Sequence, residues 1–200
     1  MSSNTSIQII EKPDWVSWDD IHDVLWNAHG QNREQGMNMA LPALPGEEIK
    51  KRIEGNGKML VAICDDRVVG TAAIKRKTAK LWCGNTEYAY ICFASVLPEY
   101  NGKGIYKALD IKREELALSM GLDKMLGDTH EGNEHRLSIA KKAGYKFVDL
   151  SVWKDHYNVV MVKWLKGCPF SDLYCNIQFQ IHKWYRKLRY KPGRGKRFGI

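Results

Sequence analysis

Val96-Leu97-Pro98-Glu99-Tyr100-Asn101-Gly102-Lys103-Gly104-Ile105 joins the end of an apolar run to the start of an amphipathic helix through two glycines. Upstream, Tyr88 to Val96 is aromatic, β-branched and nearly uncharged, the pattern of a buried strand. Downstream, Ile105, Leu109, Ile111, Leu116 and Leu118 recur at roughly helical spacing as far as Met120. The glycine turn therefore sits at a strand-to-helix junction. The first N–H groups of such a helix lack intrahelical partners and carry the positive end of its dipole, so they can bind the oxygens of a pyrophosphate. Gly102 and Gly104 let a ligand approach that backbone closely.

Two familiar phosphate motifs are excluded by the same residues. The chain contains no G-x-x-x-x-G-K-[ST] loop. A dinucleotide fingerprint would place a third glycine or alanine where Lys107 stands, and no strand-rich βαβ unit surrounds the turn. The segment instead resembles the acetyl-CoA-binding motif of the GNAT acyltransferases, in which a V-x-P approach leads into a [QR]-x-x-G-x-[GA] loop that opens a helix. Gly104 takes the place of the loop's fixed glycine, with Gly102 and Lys103 as the intervening pair. Asn101 replaces the usual Arg or Gln, and Tyr106 replaces the final small residue. A second stretch, Asn133 to Phe147, is similar to the family's N-x-x-A…Y-x-x-x-G-[FY] segment, with Asn133, Gly144 and Tyr145 at matching places. There the tyrosine that many relatives use as general acid is Ala140.

The resemblance covers roughly residues 6 to 165 and implies a mixed α/β (α+β) domain: a mostly antiparallel central sheet flanked by helices, here with a basic amphipathic helix at the C-terminus. It implies acetyl-CoA as co-substrate and no metal. By the same resemblance, the cofactor contacts are Ala94, Ser95 and Val96, beside a break in strand pairing whose exposed N–H would polarise the thioester carbonyl. They continue through Asn101, Gly102, Lys103, Gly104, Ile105 and Tyr106 to Asn133, beside the pantetheine arm. Transfer also needs a free amine and a proton for the departing thiolate. Tyr90 is expected as a polar pocket residue, and Asp128 and His130, at the end of the next strand, as base or amine ligands. Asp128 and Thr129 serve equally well as caps of the following helix. The five-residue spacing of His130 and His135 suits no common metal motif. Cys92, in a strand interior, has no neighbour in sequence that would make it a nucleophile.

Composition agrees with a single domain plus an extension: 200 residues, 44% hydrophobic and 27% charged. No apolar run approaches a membrane span, and Met1-Ser2-Ser3-Asn4-Thr5 has no secretion signature, which predicts a cytoplasmic protein. Five cysteines without a C-x-x-C pair read as reduced thiols. The formal charge of +8 belongs entirely to residues 166–200, which hold nine Lys or Arg against one acid, Asp172. Residues 1–165 form the neutral catalytic domain of this reading and 166–200 the extension. A nucleic-acid groove across the main body is disfavoured.

Along the chain the expected elements are a strand at Ile7–Ile10, helices at Trp18–Ala28 and Glu47–Glu54, and a hairpin of Lys58–Cys64 with Val68–Lys75 about the turn Asp65-Asp66-Arg67. The central strand and its helix follow, then a strand at Lys124–Thr129, a helix at about 133–143, and strands near Tyr145–Trp153 and Asn158–Leu165. Between the first two helices, residues 31–46 break periodicity, and in relatives this connection walls the acceptor pocket. In the extension, Phe170, Leu173, Ile177, Ile181, Trp184 and Leu188 recur at helical steps among Lys183, Arg186, Lys187 and Arg189. Over residues 170–185 that stripe is expected to pack on the domain or on a second subunit, with contact to an anionic membrane surface as the competing reading, while residues 186–198 are expected to bind a membrane or a nucleotide-linked substrate electrostatically. The functional expectation is an N-acetyltransferase acting on a small primary amine, an amino sugar included, by direct attack in a ternary complex. An inactive CoA- or partner-binding module of the same fold is the alternative.

Overall fold

The computed structural model describes residues 6–34, 36, 43–81, 84–153, 156–167 and 170–190. Seven strands follow the hydrogen-bonded order β1-β2-β3-β4-β5-β7-β6, with helices on either side of them in sequence, in agreement with the mixed, mostly antiparallel expectation. The chain divides into two compact units, residues 1–77 with 89–121, and residues 78–88 with 122–200.

The first unit begins with β1 (Ile7–Glu11), which pairs antiparallel with β2 (Gly57–Cys64). Helix α1 (Trp18–Ala28) starts at a capping box: Ser17 Oγ accepts from the Asp20 N–H, and the Asp20 carboxylate accepts from the Ser17 N–H. Two short helices follow, α2 (Gly30–Glu34) and α3 (Gly46–Ile53). Strand β2 pairs antiparallel with β3 (Arg67–Leu81). Asp65 and Asp66 join them with φ of 49° and 57°, the pair of positive angles that a two-residue type I′ hairpin demands. Strand β4 (Gly84–Val96) then leads through a 3₁₀ turn at Pro98–Tyr100 into α4 (Ile105–Ser119). Ile21, Leu25, Ile49, Leu60, Val61, Ala72, Leu97, Ile105 and Leu109 form a continuous buried core under these elements.

The second unit contains residues 78–81 of β3 and 84–88 of β4, with β5 (Lys124–His130), α5 (Glu134–Lys142), β6 (Lys146–Trp153), β7 (His156–Trp164) and α6 (Asp172–Arg189). Strand β7 lies between β5 and β6, antiparallel to both. Helix α6 packs on β6, where Phe179 meets Leu150 and Phe147, and its buried residues Cys175 and Phe179 are 1% and 9% exposed. The Phe179 ring meets Phe147 edge-on at 5.7 Å, and Arg186 Nη2 reaches Asp149 at 2.9 Å. The expected apolar stripe is not the packed face: Leu173, Ile177, Ile181, Trp184 and Leu188 are exposed. The helix has apolar residues on two sides, and the side that also carries Arg186 and His182 wins because Asp149 supplies their partner.

Phe179→Ala removes most of this buried contact and is expected to cost about 3 kcal/mol. Chemical denaturation would register it as a lowered midpoint. A loss below about 0.5 kcal/mol would mean that α6 contributes no core.

Candidate active site

At the glycine turn both glycines stand at φ 77°, and a side chain at either would meet nothing within 4 Å. Their role is conformational: the left-handed geometry that L-residues resist turns the chain from the 3₁₀ segment into α4. Gly104 is the N-cap and offers no side-chain bond to the helix. The first intrahelical bond is Ala108 N–H to Gly104 C=O at 3.0 Å, so the N–H groups of Ile105, Tyr106 and Lys107 precede the helical ladder and point outward along its axis. A backbone cradle of this kind fits the diphosphate of a CoA molecule. Asn101, Gly102, Lys103 and Gly104 are exposed, Ile105 is buried, and Tyr106 is half-buried. The Lys103 ammonium lies 4.5 Å from the centre of the Tyr100 ring.

Strand β4 breaks its regular geometry at Phe93, whose φ is +50° in mid-strand. The Phe93 carbonyl accepts from the fully buried Thr71 hydroxyl at 2.8 Å, which holds the irregularity in place. The break falls one residue upstream of the Ala94–Val96 stretch. Sequence reading missed what lies two residues further on. Ser95 Oγ is 2.9 Å from His29 Nε2, and Asn32 Nδ2 is 3.0 Å from His29 Nδ1. With the amide in this orientation Nδ1 accepts and Nε2 carries the ring proton, which Ser95 Oγ receives. Burial, with a smaller push from Arg33, lowers His29 from its ordinary 6.5 to about 4. The ring is therefore neutral at physiological pH. No local motif announces this group: His29 follows α1, Asn32 lies in a helix that starts with glycine, and Ser95 is 66 residues away in sequence. Tyr90, also in this unit, faces Lys77, whose ammonium is 3.9 Å from its ring centre.

The remaining expected residues belong to the second unit. Asp128 and His130 lie two apart on β5 and thus on one face of it. Asp128 Oδ2 accepts from Asn158 Nδ2 at 2.6 Å, and its charge adds to burial in raising the Tyr88 hydroxyl above its ordinary range. His130 Nδ1 accepts the Gly132 N–H at 2.9 Å, and its ring lies 4.4 Å from that of His156. The neutral His130 ring therefore carries its proton on Nε2, and its basic lone pair, on Nδ1, is engaged by the Gly132 N–H, so taking up a proton would break that bond. The cap of α5 is Asn133, whose Oδ1 accepts the Arg136 N–H at 3.1 Å, rather than Asp128 or Thr129. Ala140 is fully buried. A cleft of about 300 Å³ near the start of α1, lined by Asp20, Asp23, Asp66 and Arg67 among others, includes none of the candidate site residues.

The fold is that of the solved GNAT acetyltransferases. A profile described as the acetyltransferase (GNAT) family matches residues 18–145, and the chain belongs to that family. Its co-substrate is accordingly acetyl-CoA. Solved structures of the same fold include a GNAT-family acetyltransferase from Staphylococcus aureus Mu50, with a TM-score of 0.65 and 16% identity over 80% of this chain and 99% of that one. An aminoglycoside 6′-N-acetyltransferase complexed with coenzyme A gives 0.62 and 16% over 82% and 99%. The PaiA N-acetyltransferase from Thermoplasma acidophilum, also with coenzyme A, gives 0.57 and 20% over 80% and 99%. No curated protein sequence matches this chain significantly.

Proposed function

We propose that this enzyme acetylates a small primary amine by direct attack of the amine on acetyl-CoA within a ternary complex, with amino sugars as the first acceptor class to test. The observation that carries the reading is the succession within one unit of the Phe93 break, the Ser95–His29 pair and the glycine turn. The break turns backbone out of the ladder where a thioester oxygen needs a donor, and the turn holds the diphosphate. The amine lone pair forms the C–N bond, the C–S bond breaks, and the nitrogen loses a proton as the thiolate leaves. The fully buried Ala140 supplies no acid, so the proton balance falls to other groups. His29, neutral and tied to Ser95, is proposed to orient that hydroxyl in the first unit; Asp128 and His130 are the proposed amine-side groups of the second. Tyr90 is proposed as a pocket residue and Asn133 as a contact to the pantetheine arm. Amino sugars lead the acceptor panel because a structural neighbour that acts on aminoglycosides shares the fold.

The Ser95–His29–Asn32 series also favours a second reading, in which Ser95 is transiently acetylated. A ring proton held on Nε2 and a ring basicity near 4 make His29 a weak base for that step, so the ternary complex is preferred. Calorimetric binding of acetyl-CoA followed by thiol release across amines and amino sugars is the test. Intersecting initial-velocity lines are expected; parallel lines would establish a covalent acetyl-enzyme route. Binding without release for every amine would sustain the inactive module, and absence of binding would refute the cradle.

A further inference from the structure

Helix α6 is apolar on two opposite sides, and only one side meets the domain. At roughly 100° per residue, Cys175, Phe179, His182 and Arg186 share an arc of about 60°. This is the face turned to β6, with the two apolar residues buried and the other two at Asp149. Roughly opposite, Leu173, Tyr174, Ile177, Ile181, Trp184, Tyr185 and Leu188 fill an arc of about 120° that contains no polar residue. All seven are exposed, Leu173 by 69%, Trp184 by 68% and Leu188 by 63%. Water-facing helices do not ordinarily present a clean apolar face of this width.

Charge decides what covers it. Lys187 lies on one flank of the arc, where Glu131 holds it at 2.8 Å, with Lys183 beyond it, and Arg189 lies on the other flank. Residues 166–200 carry nine basic side chains against Asp172, and Asp172 is already engaged by Lys146 at 2.6 Å. Two copies of this helix laid face to face would bring like charges together, which opposes a dimer across α6. An anionic surface answers both features, since acidic headgroups attract the cations while the apolar arc enters the acyl boundary and Trp184 and the tyrosines sit at headgroup depth. Among the described residues no helix is long and apolar enough to cross a membrane, which leaves a helix lying in the surface plane.

We propose that the exposed face of α6 docks this enzyme flat on a bilayer containing acidic phospholipid. The test uses the full chain with vesicles of phosphatidylcholine alone and with about 30 mol % phosphatidylglycerol, separated by sedimentation. The wild type is expected to partition onto the acidic vesicles at least about tenfold more strongly than onto phosphatidylcholine, and to be released by high salt. The double variant I181E/W184E, whose sites are exposed, is expected to melt at the wild-type temperature and to lose at least about tenfold in partitioning. Failure of the wild type to sediment with acidic vesicles, or equal partitioning of the double variant, overturns the proposal. So does light scattering that finds a dimer which the double variant dissociates, because a second copy would then be the occupant.

Discussion

Gly104→Val weakens acetyl-CoA binding by about two orders of magnitude in calorimetry. Lost hydrogen bonds produce that weakening. A β-branched residue held at φ 77° is strained by about 1–2 kcal/mol, and the turn relieves the strain by rotating away from the left-handed region. Rotation re-aims the N–H groups at the start of α4, and each hydrogen bond lost to a charged phosphate oxygen costs about 1.5–3 kcal/mol. Loss of two such bonds gives about 3 kcal/mol, or roughly a hundredfold. Gly121 provides the internal control. It stands at φ 74° just beyond the other end of α4, and a side chain there would also meet nothing within 4 Å. Gly121→Val should lose comparable stability with no change in affinity. If both variants bind acetyl-CoA equally, the glycine turn is an ordinary helix entry and the cradle lies elsewhere.

The second large effect concerns acid. His29 titrates near 4 when folded and near 6.5 when unfolded, so between those values the unfolded chain holds more protons. Stability therefore rises as pH goes from 4 to 6.5, by about 3 kcal/mol if no other group intervenes. Above 6.5 this contribution is constant, and below 4 it is fully lost. In His29→Gln the rise attributable to this ring disappears, so the difference between wild-type and variant unfolding free energies should change by about that amount over the window. Parallel curves for the two proteins would show that the ring is not held neutral by burial. The same shift predicts that the His29 ring contributes no acidic limb near 6.5 to the rate profile, because it is already deprotonated there.

Much of the architecture was readable because local chemistry and global packing agree. Helix α1 was expected at Trp18–Ala28 and stands there, since Ser17 and Asp20 cap it and Ile21, Val24 and Leu25 form its buried face. The turn Asp65-Asp66 was equally plain, as Asp tolerates positive φ. Strands β3 and β4 extend beyond the expected Lys75 and Tyr88 because their outer ends, Arg76 to Leu81 and Gly84 to Glu87, are mostly polar and carry no alternation to read. Helix α2 escaped for a related reason: Gly30 opens it, and none of its residues is buried. In the site, the turn was legible because glycine spacing and helix onset are local. The His29–Ser95 contact was not, because it depends on the course of the irregular connection after α1. The extension shows a further limit. Periodicity detected the wide apolar arc, but Cys175 and Phe179, fewer and interleaved with Arg186, gave no sign that they were the packed side.

The matched family profile ends at Tyr145, and the last two strands and α6 lie beyond it. Phe179 joins Leu150, Tyr157 and Val159 in one buried cluster, with Leu137, Phe147 and Val152 against it. The final helix is thus built into the hydrophobic interior of the strands that precede it. A descendant of this chain could not shed residues 170–190 in one deletion as it might a flexible tag, because the outer strands would have to acquire a new covering in the same step. Inheritance of the extension is tied to inheritance of β6 and β7.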